Sequence, residues 1–70
     1  MNGQRLKARM VEYGYTCETI APKLGISTTA MRNKLYGRSE FTQSEIGKLA
    51  AVLVMTERDI MDIFFDEKVS

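Results

Sequence analysis

Arg32, Asn33, Lys34 and Arg38 bring a guanidinium fork, a carboxamide and two further cations into seven residues, and Thr28 and Thr29 lie one helical turn before them. Met31 and Leu35, spaced i, i+4, mark the inner side of a helix through this stretch, which leaves Thr28, Thr29, Arg32, Asn33 and Tyr36 on the opposite side. Such a face donates and accepts hydrogen bonds, which suits recognition rather than bond breaking. Taken without its flanks it also fits an ordinary solvated helix surface. Tyr36 has two readings, one packed under the loop that follows and one facing outward with its neighbours.

Other reactive residue types do not assemble into a site. Asp59 and Asp62 are spaced i, i+3, but they sit beside Arg58 in an acidic stretch where like charges share solvent. Cys17 is the one cysteine and histidine is absent, so no metal site or internal disulfide is expected, and the thiol reads as partly buried and structural. There is no phosphate-binding glycine loop and no nucleophile–base pair. Neither enzymatic activity nor a cofactor is expected.

Seventy residues predict one domain over 1–70, with a core too small to enclose a large pocket, so no small-molecule ligand is expected. The net charge of +1 conceals a lopsided distribution. Residues 1–38 carry seven basic and two acidic side chains, a surplus of +5; residues 39–70 carry three basic and seven acidic, a balance of −4. A basic half can face phosphate while the acidic half faces away. The longest apolar run, Leu49 to Met55, is too short to cross a bilayer, and no basic start precedes an apolar leader segment. No membrane partner is expected, and a cytoplasmic location is the default.

The elements that must position these residues are five helices. The first is expected from about Gly3 to Tyr13, burying Leu6, Met10 and Tyr13 and ending at Gly14. The second follows Thr16 and buries Ile20, Ala21 and Leu24, with Gly25 as its left-handed stop. Pro22 falls inside it and predicts either a kink or a start near Ile20, which would bring the ring into a tolerated first turn. The third follows Ser27 and stops at Gly37. Thr42 and Glu45 fit a capping box for the fourth, with Phe41 and Ile46 as its staple and Ile46, Leu49, Ala50 and Leu53 as its inner stripe. Thr56 and Asp59 open the fifth, where Ile60, Ile63 and Phe64 can pack inward. Met61 and Phe65 then fall on a second face, either as a partner surface or with one of them tucked into the core.

The order Ala21, Leu24-Gly25-Ile26-Ser27, Met31, Leu35 and Gly37, followed by the run Arg38 to Ile46 and the closing helix Thr56 to Phe65, resembles the Cro and lambda-repressor-like (XRE-type) helix-turn-helix proteins, small phage-encoded transcriptional regulators among them. The resemblance spans about residues 4 to 65 and implies an all-α, compact five-helix DNA-binding domain with the second and third helices as the helix-turn-helix. It implies base reading in the major groove by Thr28, Thr29, Arg32 and Asn33. Their chemistry fits: arginine pairs with guanine O6 and N7, asparagine with adenine N6 and N7, and threonine methyls touch thymine. It also implies phosphate contacts at Cys17, Ser27, Lys34, Arg38 and Thr42. Two positions depart from the family pattern: Cys17 stands where a phosphate-touching glutamine is common, and Pro22 where a polar residue is usual.

The function expected on this basis is a sequence-specific regulator that occupies a double-stranded DNA operator as a homodimer through Met61 and Phe65. An alternative is a protein-interaction module on the same fold, of antitoxin or antirepressor type. A nonspecific architectural DNA binder is a third. Salt-sensitive binding with a preferred sequence separates them.

Overall fold

Each helix of this chain opens on a short polar side chain that accepts from its own first turn. A computed structural model describes residues 1–65 and contains five helices: α1 (Gly3–Glu12), α2 (Cys17–Leu24), α3 (Thr28–Leu35), α4 (Gln43–Val52) and α5 (Glu57–Phe64). The N-caps are Asn2, Thr16, Ser27, Thr42 and Thr56. Thr42 with Glu45 and Thr56 with Asp59 form the expected reciprocal boxes, and Thr16 forms a further one with Thr19. All described secondary structure is helical, and no helix among these residues is long and apolar enough to cross a membrane.

Helix ends follow one device. After α1, α2 and α3 the chain turns through Gly14, Gly25 and Gly37, all at positive φ. After α4 the same turn falls on Val54, at φ 48°, where the Met55 N–H closes back on the Ala50 carbonyl at 2.9 Å. A branched side chain in the left-handed region is strained. α2 starts directly after Thr16, as its cap predicts. It begins at Cys17, not near Ile20, and so holds Pro22 within the helix. Pro22 has no N–H to offer the Glu18 carbonyl, but both residues are exposed, so water can take its place.

Ten residues drawn from all five helices and the α4–α5 turn form one buried cluster: Leu6, Met10, Ile20, Ala21, Leu24, Met31, Leu35, Leu49, Leu53 and Ile63. Phe41 and Phe64 pack against it edge to face, with ring centroids 5.6 Å apart. Ile46, Ala50 and Ile60, expected to face inward, are only half-buried, and of the α4 stripe Leu49 and Leu53 alone are in the core. Tyr13, expected inside, is 41% exposed: it is the C-cap of α1 and its ring lies under the Arg9 guanidinium instead of in the core.

α2 packs chiefly on α3, and both lean on the rest of the bundle through α4 and α1. α1 approaches the end of α3 so closely that a Cβ on Gly3 would lie 2.5 Å from the Leu35 carbonyl oxygen. Hydrogen at that position is what allows the contact. The preceding Asn2 N–H donates to the Ile63 carbonyl of α5, so the start of the chain ties α3 and α5 together.

Candidate nucleic-acid interface

The unit that presents the polar face is built by three small decisions of sequence. Gly25, at φ 74°, lets the Ile26 N–H return to the Ala21 carbonyl at 3.2 Å, which ends α2 and leaves only Gly25–Ser27 before α3. Ser27 then accepts from the Ala30 N–H at 3.0 Å and starts α3. Ala21 is buried, and Met31 and Leu35 fix the roll of α3 at 0% and 4% exposure. The outward face follows from that roll.

On it, Thr29 and Arg32 are exposed and Thr28 and Asn33 half-buried. Arg32 Nη2 stands 3.8 Å from Glu18 Oε1 in the first turn of α2, both side chains being more than half exposed. A pair so open to solvent is weak, so the guanidinium is free to leave it. Tyr36 is exposed, which decides between its two readings in favour of the outward one; the half-buried aromatic beneath the loop is Phe41. Arg38 lies over the Tyr36 ring at 5.9 Å and its Nη1 approaches Asn33 Oδ1 at 3.4 Å. Asn33, Tyr36 and Arg38 therefore form one cluster at the C-terminal end of α3.

Lys34 does not join that cluster. Its ammonium turns inward, donating to the Glu40 carbonyl at 2.9 Å and pairing with Glu45 Oε1 at 3.0 Å, with both side chains only 13% exposed. The expectation of a free phosphate anchor there gives way to an internal ion pair, since two oxygens already satisfy the charge. Thr42 is altered by the same contact. Its N–H is taken by Glu45 Oε1 at 2.8 Å, so the start of α4 already holds a carboxylate where the sequence predicts a phosphate. The Thr42 N–H, followed by Lys34, holds the Glu45 carboxyl below its ordinary range. Cys17 is half-buried against the core and Ser27 is exposed at the start of α3.

Two residues with structural weight escape a reading of the sequence. Arg9 reaches from α1 to the α4–α5 turn, donating through Nε to the Leu53 carbonyl at 3.1 Å and through Nη2 to that of Val54 at 2.7 Å, with Asp59 3.5 Å away. Glu45 reads from sequence only as a cap. Both act across the fold, at separations that no local spacing reveals. Arg32 and Arg38 are exposed on α3 and the loop after it, and Lys7, exposed on α1, lines a groove with Tyr36.

A surface groove of about 780 Å³ runs beside the end of α3, between Tyr36, Lys7, Met1 and Phe65. Met61 and Phe65 are both exposed, at 53% and 55%, so neither tucks into the core. Among the described residues no cluster of metal-ligating side chains occurs. No family model, curated protein or solved structure matches this chain.

Proposed function

We propose that this protein is a sequence-specific double-stranded DNA-binding transcriptional regulator of phage or prophage type, in which α2, the Gly25 turn and α3 act as a helix-turn-helix and α3 enters the major groove. The observation that carries the reading is the outward face of α3, where Arg32 is exposed and bound only by a weak ion pair while Asn33 stands beside it next to Arg38. An arginine and an asparagine on one helix face supply the two bidentate base contacts that discriminate guanine and adenine. Thr28 and Thr29 add methyl groups for thymine. Arg38 and the N–H groups at Cys17 and Ser27 serve the backbone, whereas Lys34 and the Thr42 N–H are withdrawn from that task by Glu45.

The exposed pair Met61 and Phe65 supports a two-fold dimer, as paired half-sites require. Selection of bound sequences from a random duplex pool tests function and symmetry together. A palindromic consensus is expected, and a pool that emerges without enrichment overturns the reading. The second reading, a protein-interaction module on the same fold, is favoured by the exposure of Tyr36, Met61 and Phe65, since aromatic and methionine side chains are enriched at partner surfaces. Binding to duplex DNA that ignores salt, or no such binding, is the outcome that selects it.

A further inference from the structure

Lys34 lies in the last turn of α3 and Glu45 in the first turn of α4, and between them runs the loop that carries Tyr36 and Arg38. We propose that these two side chains form a positioning clamp, which fixes the end of α3 and its loop against α4, and that neither touches the DNA this face is read as binding. The second half of the proposal rests on that reading. The first half stands by itself.

The geometry carries it. Lys34 Nζ has one oxygen on the loop, the Glu40 carbonyl at 2.9 Å, and one on α4, Glu45 Oε1 at 3.0 Å, and it sits over the Phe41 ring at 5.9 Å. Phe41 in turn packs on the core and on Phe64. The same Glu45 oxygen, Oε1, accepts from the Thr42 N–H at 2.8 Å, so the clamp is locked to the α4 cap. Swinging Lys34 out to a phosphate would strip a largely buried carboxylate of its counter-charge and the Glu40 carbonyl of its donor. Breaking such charged hydrogen bonds lowers an equilibrium by roughly ten- to a hundredfold, more than one exposed phosphate contact returns. The clamp also reaches the recognition cluster, because the Asn33 carbonyl receives the Arg38 and Ser39 N–H groups at 2.8 and 3.3 Å at the start of this loop.

The full chain and its Lys34→Met and Glu45→Gln variants separate a clamp from a phosphate anchor. In both variants amide exchange at Arg38 and Ser39 should rise roughly tenfold while α1 amides stay unchanged. Duplex drawn from the selected pool should bind several-fold less tightly to both, with the salt slope of the wild type. The sign for Glu45→Gln decides most. Removing a negative charge from a DNA-binding surface strengthens binding on electrostatics alone, so weaker binding marks positioning and tighter binding overturns it. A Lys34→Met slope lowered by about two also overturns it, since that is the loss of one phosphate contact per subunit of the dimer. Unchanged exchange at Arg38 and Ser39 removes the clamp itself. Should a variant fail to fold, the Lys34 ammonium resonance of the wild type, followed as duplex is added, separates the two in the same way: unmoved for a clamp, shifted for an anchor. If the wild type binds no duplex, the DNA reading falls and the exchange result alone decides the clamp.

Discussion

Arg9, Arg32 and Arg38 carry the same group into three environments. Arg9 is committed to the carbonyls of Leu53 and Val54, Arg32 shares a loose exposed pair with Glu18, and Arg38 caps the Asn33–Tyr36 cluster. On the DNA reading the last two should fail differently. Loss of a bidentate base contact costs ~1–3 kcal/mol and relaxes one base pair, whereas loss of a phosphate contact weakens all sequences alike. Arg32→Ala should therefore flatten one position per half-site in a selected consensus. Arg38→Ala should leave the consensus intact and lower the salt slope by about two, one phosphate contact for each subunit of the dimer. Identical consensus profiles for wild type and Arg32→Ala would mean that the wrong face of α3 has been assigned. Val54 gives a prediction independent of DNA. Its φ of 48° strains a branched residue whose side chain is mostly exposed, so Val54→Gly should raise stability by about 1 kcal/mol, read as a higher Tm.

At the scale of elements, the helix starts are where pH enters. The Glu45 carboxyl is held below its ordinary value chiefly by the Thr42 N–H and then by Lys34, and the Asp59 carboxyl chiefly by the Thr56 N–H, then by Arg9 and Arg5. A depressed folded pKa favours the native state once the unfolded group is ionised. The contribution is thus complete above about pH 5 and is lost as pH falls through the folded values. Thermal melts should show a Tm that drops on the acid side, and Glu45→Gln combined with Asp59→Asn should flatten that drop while lowering Tm at neutral pH. An acid limb unchanged in the double variant would place the sensitivity elsewhere. The meeting of α1 with α3 offers a steric test. Gly3→Ala pushes a methyl group into the Leu35 carbonyl, a backbone atom that can move only with its helix, and should cost ~1–3 kcal/mol in denaturant unfolding.

For the whole molecule, the division into a basic and an acidic half is reduced where the halves meet. Arg9 reaches Asp59 and Lys34 reaches Glu45, each a basic-half cation bound to an acidic-half carboxylate. Their charge holds the fold rather than a ligand. Two or three phosphates per subunit then remain for the proposed complex, and a dimer at about 0.9 per phosphate gives a log–log salt slope of about −4 to −5. A slope near zero would remove DNA from the account. Phe65→Ala should leave helical content unchanged, shift sedimentation toward monomer and weaken duplex binding. A wild type that stays monomeric both free and on DNA would instead leave the exposed Met61 and Phe65 to another partner.

Helix number, order and most boundaries were legible in the sequence because caps, turn glycines and i, i+4 apolar pairs act within a few residues. Ser27, Met31, Leu35 and Gly37 alone specify where α3 starts, which side it buries and where it stops. The polar face opposite Met31 and Leu35 follows from the same periodicity. What tertiary structure decided is which charges on and around that face remain free. Lys34 and Arg38 look alike in sequence, each a cation near the end of one helix, yet Lys34 meets Glu45 only because α4 folds back beside it, and Arg38 does not. Tyr13, at the end of an apolar stripe, lies outside, with its ring under the Arg9 guanidinium. Val54 takes a glycine's conformation where the chain leaves α4, and Arg9, distant in sequence, binds the carbonyls of that turn. Periodicity assigns a residue to a face; long-range pairing determines whether its charge is neutralised there.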